Sequence, residues 1–499
     1  MTPATRRLLV VSNRLPVVLE KGAGGWTLKR GSGGLVNALA PVLSHRGGLW
    51  IGWPGLALEE GGDWEELIET GFRERGYDLV PVLLSDEEVK NFYEGFSNAV
   101  LWPLFHDLTD SCDFDPAFWY AYLRVNEKFA ATVVEQSRDD DFIWVQDYQL
   151  IHVAERVREQ APERQIGFFL HIPFPPLDIF VKLPWRSRIL GALLAYDLLG
   201  FQTPRDRRNF LTCIEHLLPD VEISRGHTIA QVKVGERVMK VGSFPIGIDA
   251  QSFEDSARSE DVVLRTAELR KKIGRCELVL GVDRLDYTKG IPERLMAFRN
   301  AIERFPELRE RVILFQVTVP SRERVPEYQA LKARVERLVG EINGEFSTAG
   351  WVPVHYHYKS LAKRDLISLY RMARVGFVTS LKDGMNLVAK EICACQVEDP
   401  GVLVLSEFAG AAAQLQKGAI LVNPNDIEGM AEALKAAFDM DEAERRRRME
   451  GMREVIKKQD IFWWVDFYLK AALGTVPDDF RTPKEYFPAM DFEDNWITL

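Results

Sequence analysis

The chain has 499 residues, of which 46% are hydrophobic and 27% charged, and its formal net charge is −11 at pH 7. That length allows about two to four domains, and the composition is that of an ordinary globular protein. The acidic balance argues against wholesale binding to nucleic acid or to an anionic membrane, but leaves room for a local basic pocket that holds a phosphorylated substrate. Five scattered cysteines, Cys112, Cys213, Cys276, Cys393 and Cys395, make no disulfide framework. Cys393 and Cys395 fall on an expected helix where their side chains diverge by roughly 200°, which suits packing rather than a shared metal. The first residues, "MTPATRRLLVVSNRLPVV", have too short an apolar run for a signal peptide. No apolar stretch reaches the length of about 18 residues needed to span a bilayer. The expectation is a reduced, cytoplasmic chain of enzyme size.

In chain order, short β-rich runs alternate with helical patterns. Residues 7–13 (RLLVVSN) read as a buried strand and 34–45 (GLVNALAPVLSH) as a helix. Strand 141–147, helix 149–161, strand 165–174, helix 186–197, strand 198–203 and a helix beginning PRDRRNFL follow. Residues 221–242 read as a β-hairpin that closes the first half. The order then restarts with strand 277–286, helix 291–308, strand 311–320, helix 326–346, strand 352–358, helix 363–373 and strand 375–380. A loop and helix, SLKDGMNLVAKEI (380–392), a strand within 401–410 and a helix over 427–440 complete the second half. The run ERRRRMEGM (444–452) reads as the solvated face of a helix. Such βαβα alternation calls for parallel sheets covered by helices on both faces. The expected architecture is α/β, with two Rossmann-like doubly wound domains, 1–245 and 246–460, facing each other across a cleft. A helical tail, 461–499, is expected to pack back on the first domain.

Ligands of open α/β sheets bind beyond the carboxyl ends of the strands. Asn13, Arg14, Asp147, His171, Arg284, the segment 318–322 and Asp383 all fall there. The loop GSGGLVNAL (31–39) opens a helix whose amides suit an anion, although glycines also make plain turns. It does not directly follow the first strand, and no ribose-binding acid follows a second, so it is no dinucleotide fingerprint. Arg284 and Lys289 in VDRLDYTKGIPERL flank a strand-to-helix turn, where two cations could hold a diphosphate and stabilise its charge as it leaves. A local ion pair of Arg284 with Asp283 or Asp286 is the plainer alternative. Arg322 and Arg324 in VPSRERVPEY, with Arg14 in SNRLP, suit a second substrate bearing a monophosphate, or are solvated loop arginines. Tyr93 and Trp102 in NFYEGFSNAVLWPLFH could stack on a sugar or fill the core. His171 and Asp147 stand at equivalent strand ends. Asp383-Gly384-Met385-Asn386, the helix start after it and Glu391 about two turns on suit a sugar, a phosphate and a ribose in turn. No metal-binding cluster and no G-x-S-x-G element is present in the sequence.

Together VVSNRLP, NFYEGFSNAVLWPLFH, IWVQDYQL, GFFLHIPFP, DLLGFQT, GVDRLDYTKGIPERL, INGEF, DGMNLVAKE and VLVLSEFAGAA closely resemble the trehalose-6-phosphate synthases, from about residue 8 to 470. These are retaining glycosyltransferases with the glycosyltransferase-B fold. The resemblance implies transfer of glucose from UDP-glucose to carbon 1 of glucose 6-phosphate, by a front-face mechanism that needs no metal or organic cofactor. Motif by motif, it implies that Gly33 and Gly34 approach the donor's diphosphate and glucose, and that Arg284 and Lys289 bind and stabilise the leaving diphosphate. Asp383, Gly384, Met385 and Asn386 would hold the donor glucose, the Leu387 and Val388 amides would face phosphate, and Glu391 the ribose. His171 and Asp147 would contact the reacting sugars. Arg14, Tyr93 and Arg322 would hold the acceptor's phosphate end, with Trp53 and Trp102 shaping its pocket. Leu361 stands where the family often has Phe against the uracil, which leaves ADP- and GDP-glucose open. No fused phosphatase domain is expected, and a homodimer or homotetramer is left open. The rivals are a glucosylglycerol-phosphate synthase, whose relatives lack the S-N-R and P-S-R elements found here, a non-catalytic sugar-phosphate sensor, and a dehydrogenase, which lacks its fingerprint.

Overall fold

The computed structural model describes residues 6–22, 25–31, 34–56, 64–65, 67–68, 76–226, 228–322, 325–398, 400–474 and 486. They divide into two compact units. The first runs to Phe253 and takes in Lys382–Lys390 and the stretch Ile456–Thr482; the second is made of Glu254–Leu381, Glu391–Val455 and Pro483–Leu499.

The strands of the first unit are β1 (Leu8–Arg14), β2 (Val17–Gly22), β3 (Gly25–Arg30), β4 (Leu49–Trp53), β5 (Asp78–Pro81), β6 (Phe142–Gln146), β7 (Gln165–Phe169), β8 (Leu198–Phe201), β9 (Val221–Ser224), β10 (Ile229–Val234) and β11 (Arg237–Ser243). Nine of them form one sheet in the order β5-β4-β1-β6-β7-β8-β11-β10-β9. From β5 to β11 the pairing is parallel. Strands buried on both faces read as unbroken apolar runs, and β1, β4 and β6 do so. The expected hairpin over 221–242 is in fact three strands, because β11 continues the parallel sheet beside β8 while β10 and β9 add an antiparallel edge. The β2–β3 hairpin stands apart from the sheet. It separates the first strand from the helix Gly34–Arg46, which is why the glycine-rich loop does not follow β1 directly.

Among the helical features that were not expected, two lie in the first unit. Val89–Leu101 winds wider than an α-helix, so that the Trp102 amide reaches back five residues to the Ser97 carbonyl. Wide turns of this kind are rare and recur at functional sites. Pro116–Gln136 starts on Asp115, whose carboxylate accepts from the Ala117 amide at 2.8 Å. The last helix, Ile461–Ala472, packs on the first sheet. The Tyr468 ring stacks on Trp144 at 4.3 Å, and its hydroxyl donates to the carbonyls of Phe168 and Leu198 at 3.0 and 3.2 Å. Glycines make room for it: a Cβ at Gly167 would lie 2.5 Å from the Tyr468 hydroxyl, and one at Gly200 would lie 2.7 Å from its ring.

The second unit has one six-stranded parallel sheet, built from β12 (Glu277–Arg284), β13 (Val312–Val319), β14 (Val354–Tyr358), β15 (Val375–Val378), β16 (Val402–Ser406) and β17 (Ile420–Val422). Their order is β14-β13-β12-β15-β16-β17. The change of direction on either side of β12 makes its carboxyl end a topological switch point. Below it, Arg294 is wholly buried. It pairs with Asp283 and donates to Gln316 Oε1 at 3.0 Å and Thr379 Oγ1 at 3.1 Å. A buried ion pair is tolerated when its remaining hydrogen bonds are also made.

Candidate active site

In the first unit, β1 ends on Arg14 and β4 on Trp53, and the two are paired beyond an irregularity that shifts the register after Val11. The Arg14 guanidinium lies 4.0 Å from the Trp53 ring centroid and 5.5 Å from that of Tyr93. The two rings meet edge-on at 5.8 Å. Gly55, at φ +98°, leaves the space that the guanidinium fills; a Cβ there would collide with Arg14 Nη1. Trp102 directly follows the wide helix that carries Tyr93 and is buried, with its ring 5.8 Å from Tyr148 and 4.3 Å from His106. The Tyr148 hydroxyl donates to Asn98 Oδ1 at 2.9 Å.

Asp147 follows β6 directly and adopts φ 72°, ψ 168°. That region belongs to glycine, and other residues occupy it at a cost of about 1–3 kcal/mol. The surroundings enforce it: the Asp147 amide donates to the Phe169 carbonyl at 2.8 Å, and Asp147 Oδ1 accepts from the His171 amide at 3.1 Å. His171 Nε2 lies 2.8 Å from Gln146 Oε1, and Nδ1 lies 3.5 Å from Gln202 Nε2. This network assigns the proton to Nε2, since the Gln146 carbonyl oxygen only accepts. Burial of the ring pushes the His171 pKa down to about 3, so the imidazole is neutral.

The loop that opens the helix Leu387–Cys395 belongs to the same unit. Asn386, at φ 72°, caps the helix by accepting from the Ala389 amide at 3.1 Å, and its Nδ2 donates to Asp383 Oδ2 at 3.1 Å. The first amides of a helix have no partner within it, so those of Leu387 and Val388 suit an anion. Gly384 is buried against the His171 carbonyl, and a Cβ there would strike it. A Cβ at Gly34 would lie 2.8 Å from Leu387 Cδ1. His171, Gly34 and the 383–388 loop are thus one neighbourhood. Lys390, 1% exposed by residue area, donates from Nζ to the Ile246 carbonyl at 2.6 Å, and burial pushes its pKa down to about 7.

In the second unit, β12 ends on Arg284, and Asp286 opens the turn Tyr287–Lys289. Asp286 is wholly buried. Its Oδ1 accepts from the Thr288 amide at 3.0 Å and the Thr288 hydroxyl at 2.9 Å. Its Oδ2 lies 3.8 Å from Arg284 Nη2 and 3.7 Å from Arg322 Nη1. Burial alone would raise the Asp286 pKa, yet the charges of Arg322, Arg284 and Lys289 hold it below the ordinary carboxylate value. The Tyr328 hydroxyl accepts from Arg322 and donates toward Asp286 Oδ2 at 3.4 Å. Gly290 closes the turn at φ +63°, where a Cβ would strike the Thr379 carbonyl. Glu391 accepts from the Tyr370 hydroxyl at 2.9 Å, and burial raises its pKa. Leu361 lies just beyond the carboxyl end of β14.

Most of the expected residues therefore gather in three groups, Arg14, Trp53 and Tyr93; Asp147, His171, Gly34 and Asp383 to Val388; and Arg284, Lys289 and Arg322, whereas Trp102, Glu391 and Leu361 are not brought into them by the contacts described. Gly33 and Arg324 lie outside the described residues. Of the two ion pairs open to Arg284, the one with Asp286 is formed, whereas Asp283 turns to the buried Arg294. Tyr328, Gln146 and Gly55 carry the geometry and were not expected to, and Asp286 was expected only as an alternative ion-pair partner of Arg284. Among the described residues, no three His, Cys, Asp or Glu side chains come together as a metal set, and no helix is long and apolar enough to cross a membrane.

Two α/β units with cationic side chains at strand ends, one set at a switch point, make the fold of the B-type glycosyltransferases. The model of glycosyltransferase family 20 matches residues 6–472, and the chain belongs to that family. It is 43% identical over 476 residues to the trehalose-6-phosphate synthase of Mycolicibacterium vanbaalenii, covering 94% of this chain and 96% of that protein. Among solved structures, a UDP-forming α,α-trehalose-phosphate synthase from Burkholderia xenovorans in complex with glucose 6-phosphate superposes with a TM-score of 0.84 at 35% identity, covering 94% of this chain and 100% of that one. A structure from E. coli bound with UDP-2-fluoro glucose gives a TM-score of 0.83 at 35% identity, with coverage of 94% and 100%.

Proposed function

We propose that this chain transfers glucose from UDP-glucose to the C1 hydroxyl of glucose 6-phosphate with retention, giving α,α-trehalose 6-phosphate and UDP. The observation that carries this reading is the 43% identity, along 94% of the chain, to a trehalose-6-phosphate synthase. The site geometry supports it in detail. Arg284 and Lys289, held at the end of β12, take the donor's diphosphate and stabilise the charge that develops when the glycosidic C1–O bond breaks. The departing phosphate oxygen accepts the proton of the acceptor's C1 hydroxyl, and that hydroxyl oxygen bonds to the donor's C1 on the face the phosphate leaves. The 383–386 loop and neutral His171 hold the donor glucose, Asp147 contacts the reacting sugars, and Glu391 receives the ribose. Arg14, Tyr93 and Arg322 hold the acceptor's phosphate, with Trp53 and Trp102 bounding its sugar.

Glycerol 3-phosphate is the rival acceptor. Against it stand Ser12-Asn13-Arg14 and Pro320-Ser321-Arg322, both present in the chain. The test is nucleotide release from UDP-, ADP- and GDP-glucose with each acceptor in parallel. Release from UDP-glucose with glucose 6-phosphate is expected. Release only with glycerol 3-phosphate would overturn the acceptor, and silence with every pair would favour a non-catalytic sensor.

A further inference from the structure

One buried carboxylate faces two of the arginines assigned to a phosphate in the second unit, Arg284 and Arg322. Asp286 uses its two oxygens differently. Oδ1 is committed to Thr288 and fixes the turn that carries Lys289. Oδ2 faces Arg284 at 3.8 Å, Arg322 at 3.7 Å and the Tyr328 hydroxyl at 3.4 Å. Tyr328 is 1% exposed by area, and its hydroxyl also accepts from Arg322. Arg322 itself sits at φ 49°, a left-handed conformation that arginine adopts only under constraint. Its side chain is only 7% exposed, so the guanidinium is held rather than waving in solvent.

We propose that Asp286 and Tyr328 are positioning residues that set the affinity for both substrates from one point. Asp286 orients Arg284 and Lys289 toward the donor's diphosphate. Through its Oδ2 and the Tyr328 hydroxyl it also orients Arg322 toward the acceptor's phosphate. The inference rests on the substrate assignments made above for these cations. The chemistry favours a carboxylate for the task. Three cations brought together would repel one another, and an uncharged amide at 286 would not hold them. A charged hydrogen bond loses its value when its partner becomes free to turn.

Binding of UDP and of glucose 6-phosphate is measured separately by calorimetry on the wild type, Arg322→Ala, Tyr328→Phe, the Tyr328→Phe/Arg322→Ala double variant and Asp286→Asn. Tyr328→Phe removes one oxygen and is expected to weaken glucose 6-phosphate roughly tenfold with UDP unchanged, the value of one charged hydrogen bond. On the Arg322→Ala background the same change is expected to cost nothing further, because the hydroxyl acts through that arginine. Asp286→Asn is expected to weaken both ligands. Equal, additive losses from Tyr328→Phe in both backgrounds would overturn the proposal, as would an Asp286→Asn effect confined to one ligand. If Asp286→Asn does not fold, Asp286→Glu, which keeps the charge but displaces it, is measured in its place with the same expectation for both ligands. If Arg322→Ala leaves glucose 6-phosphate binding intact, the substrate assignment fails first, and the two-substrate proposal falls with it.

Discussion

The guanidinium carbon of Arg14 lies 4.0 Å from the ring centroid of Trp53, and the glycine at position 55 leaves room for the guanidinium, since a Cβ there would meet its Nη1. A cation over an indole face is worth about 0.5–2 kcal/mol. Here its larger effect is to fix the direction in which the guanidinium offers its N–H groups.

Gly55→Ala should therefore displace Arg14 and raise the KM for the phosphorylated acceptor about tenfold, while the KM for the nucleotide sugar stays within about twofold. Steady-state kinetics with each substrate varied separately checks this. A change confined to the donor would show that Arg14 serves the other substrate.

Arg284→Ala and Lys289→Ala should each lower kcat by about 100-fold or more, the usual cost of removing a group that stabilises developing charge. Circular dichroism should show both variants folded, since Arg284 is half exposed and neither residue carries the core. A variant with near-normal turnover would remove that residue from the leaving-group site.

Gly290→Ala is a stability test. The position has φ +63° and its missing Cβ faces the Thr379 carbonyl. Strain and collision together should cost about 1–3 kcal/mol, seen as a lower denaturant midpoint. An unchanged midpoint would mean that the Lys289 turn is not as tightly held as its contacts indicate.

His171 has its pKa lowered to about 3, below the ordinary value near 6.5. Between those values the unfolded chain binds the proton and the folded chain does not. Folding stability should fall as pH drops from about 6.5 toward 3, and the part due to His171 should be complete above 6.5. His171→Gln should flatten the pH dependence of urea stability in that window. If turnover of the wild type instead showed a limb near pH 6.5 that this variant abolished, the histidine would be titrating in the working range.

Much of the fold was legible because parallel strands buried on both faces leave unbroken apolar runs, as β1 and β6 do, and because helices such as Pro326–Phe346 begin on proline. Strand β11 was read only as half of a hairpin, which it does form with β10, and its second pairing with β8 went unseen because that is a long-range choice that local pattern does not record. The wide winding of Val89–Leu101 was likewise invisible, because its residues suit an ordinary helix equally well. At the site, arginines and a lysine beside strand ends announced themselves by charge and place. Their partners were less plain: Asp286 was read only as an alternative ion-pair partner of Arg284, and Tyr328 was not singled out at all. Asp286 and Tyr328 act through burial and mutual distance, and 41 positions of chain, residues 287–327, separate them. Gly55 matters for an atom that it lacks.

The most direct test of the account is the identity of the product. Purified protein is incubated with UDP-glucose and glucose 6-phosphate, and the sugar product is examined by proton NMR. The account predicts a disaccharide phosphate with two α anomeric protons and no reducing end, formed in step with UDP. A product with a reducing end or a β linkage, or UDP released without any disaccharide, would contradict it.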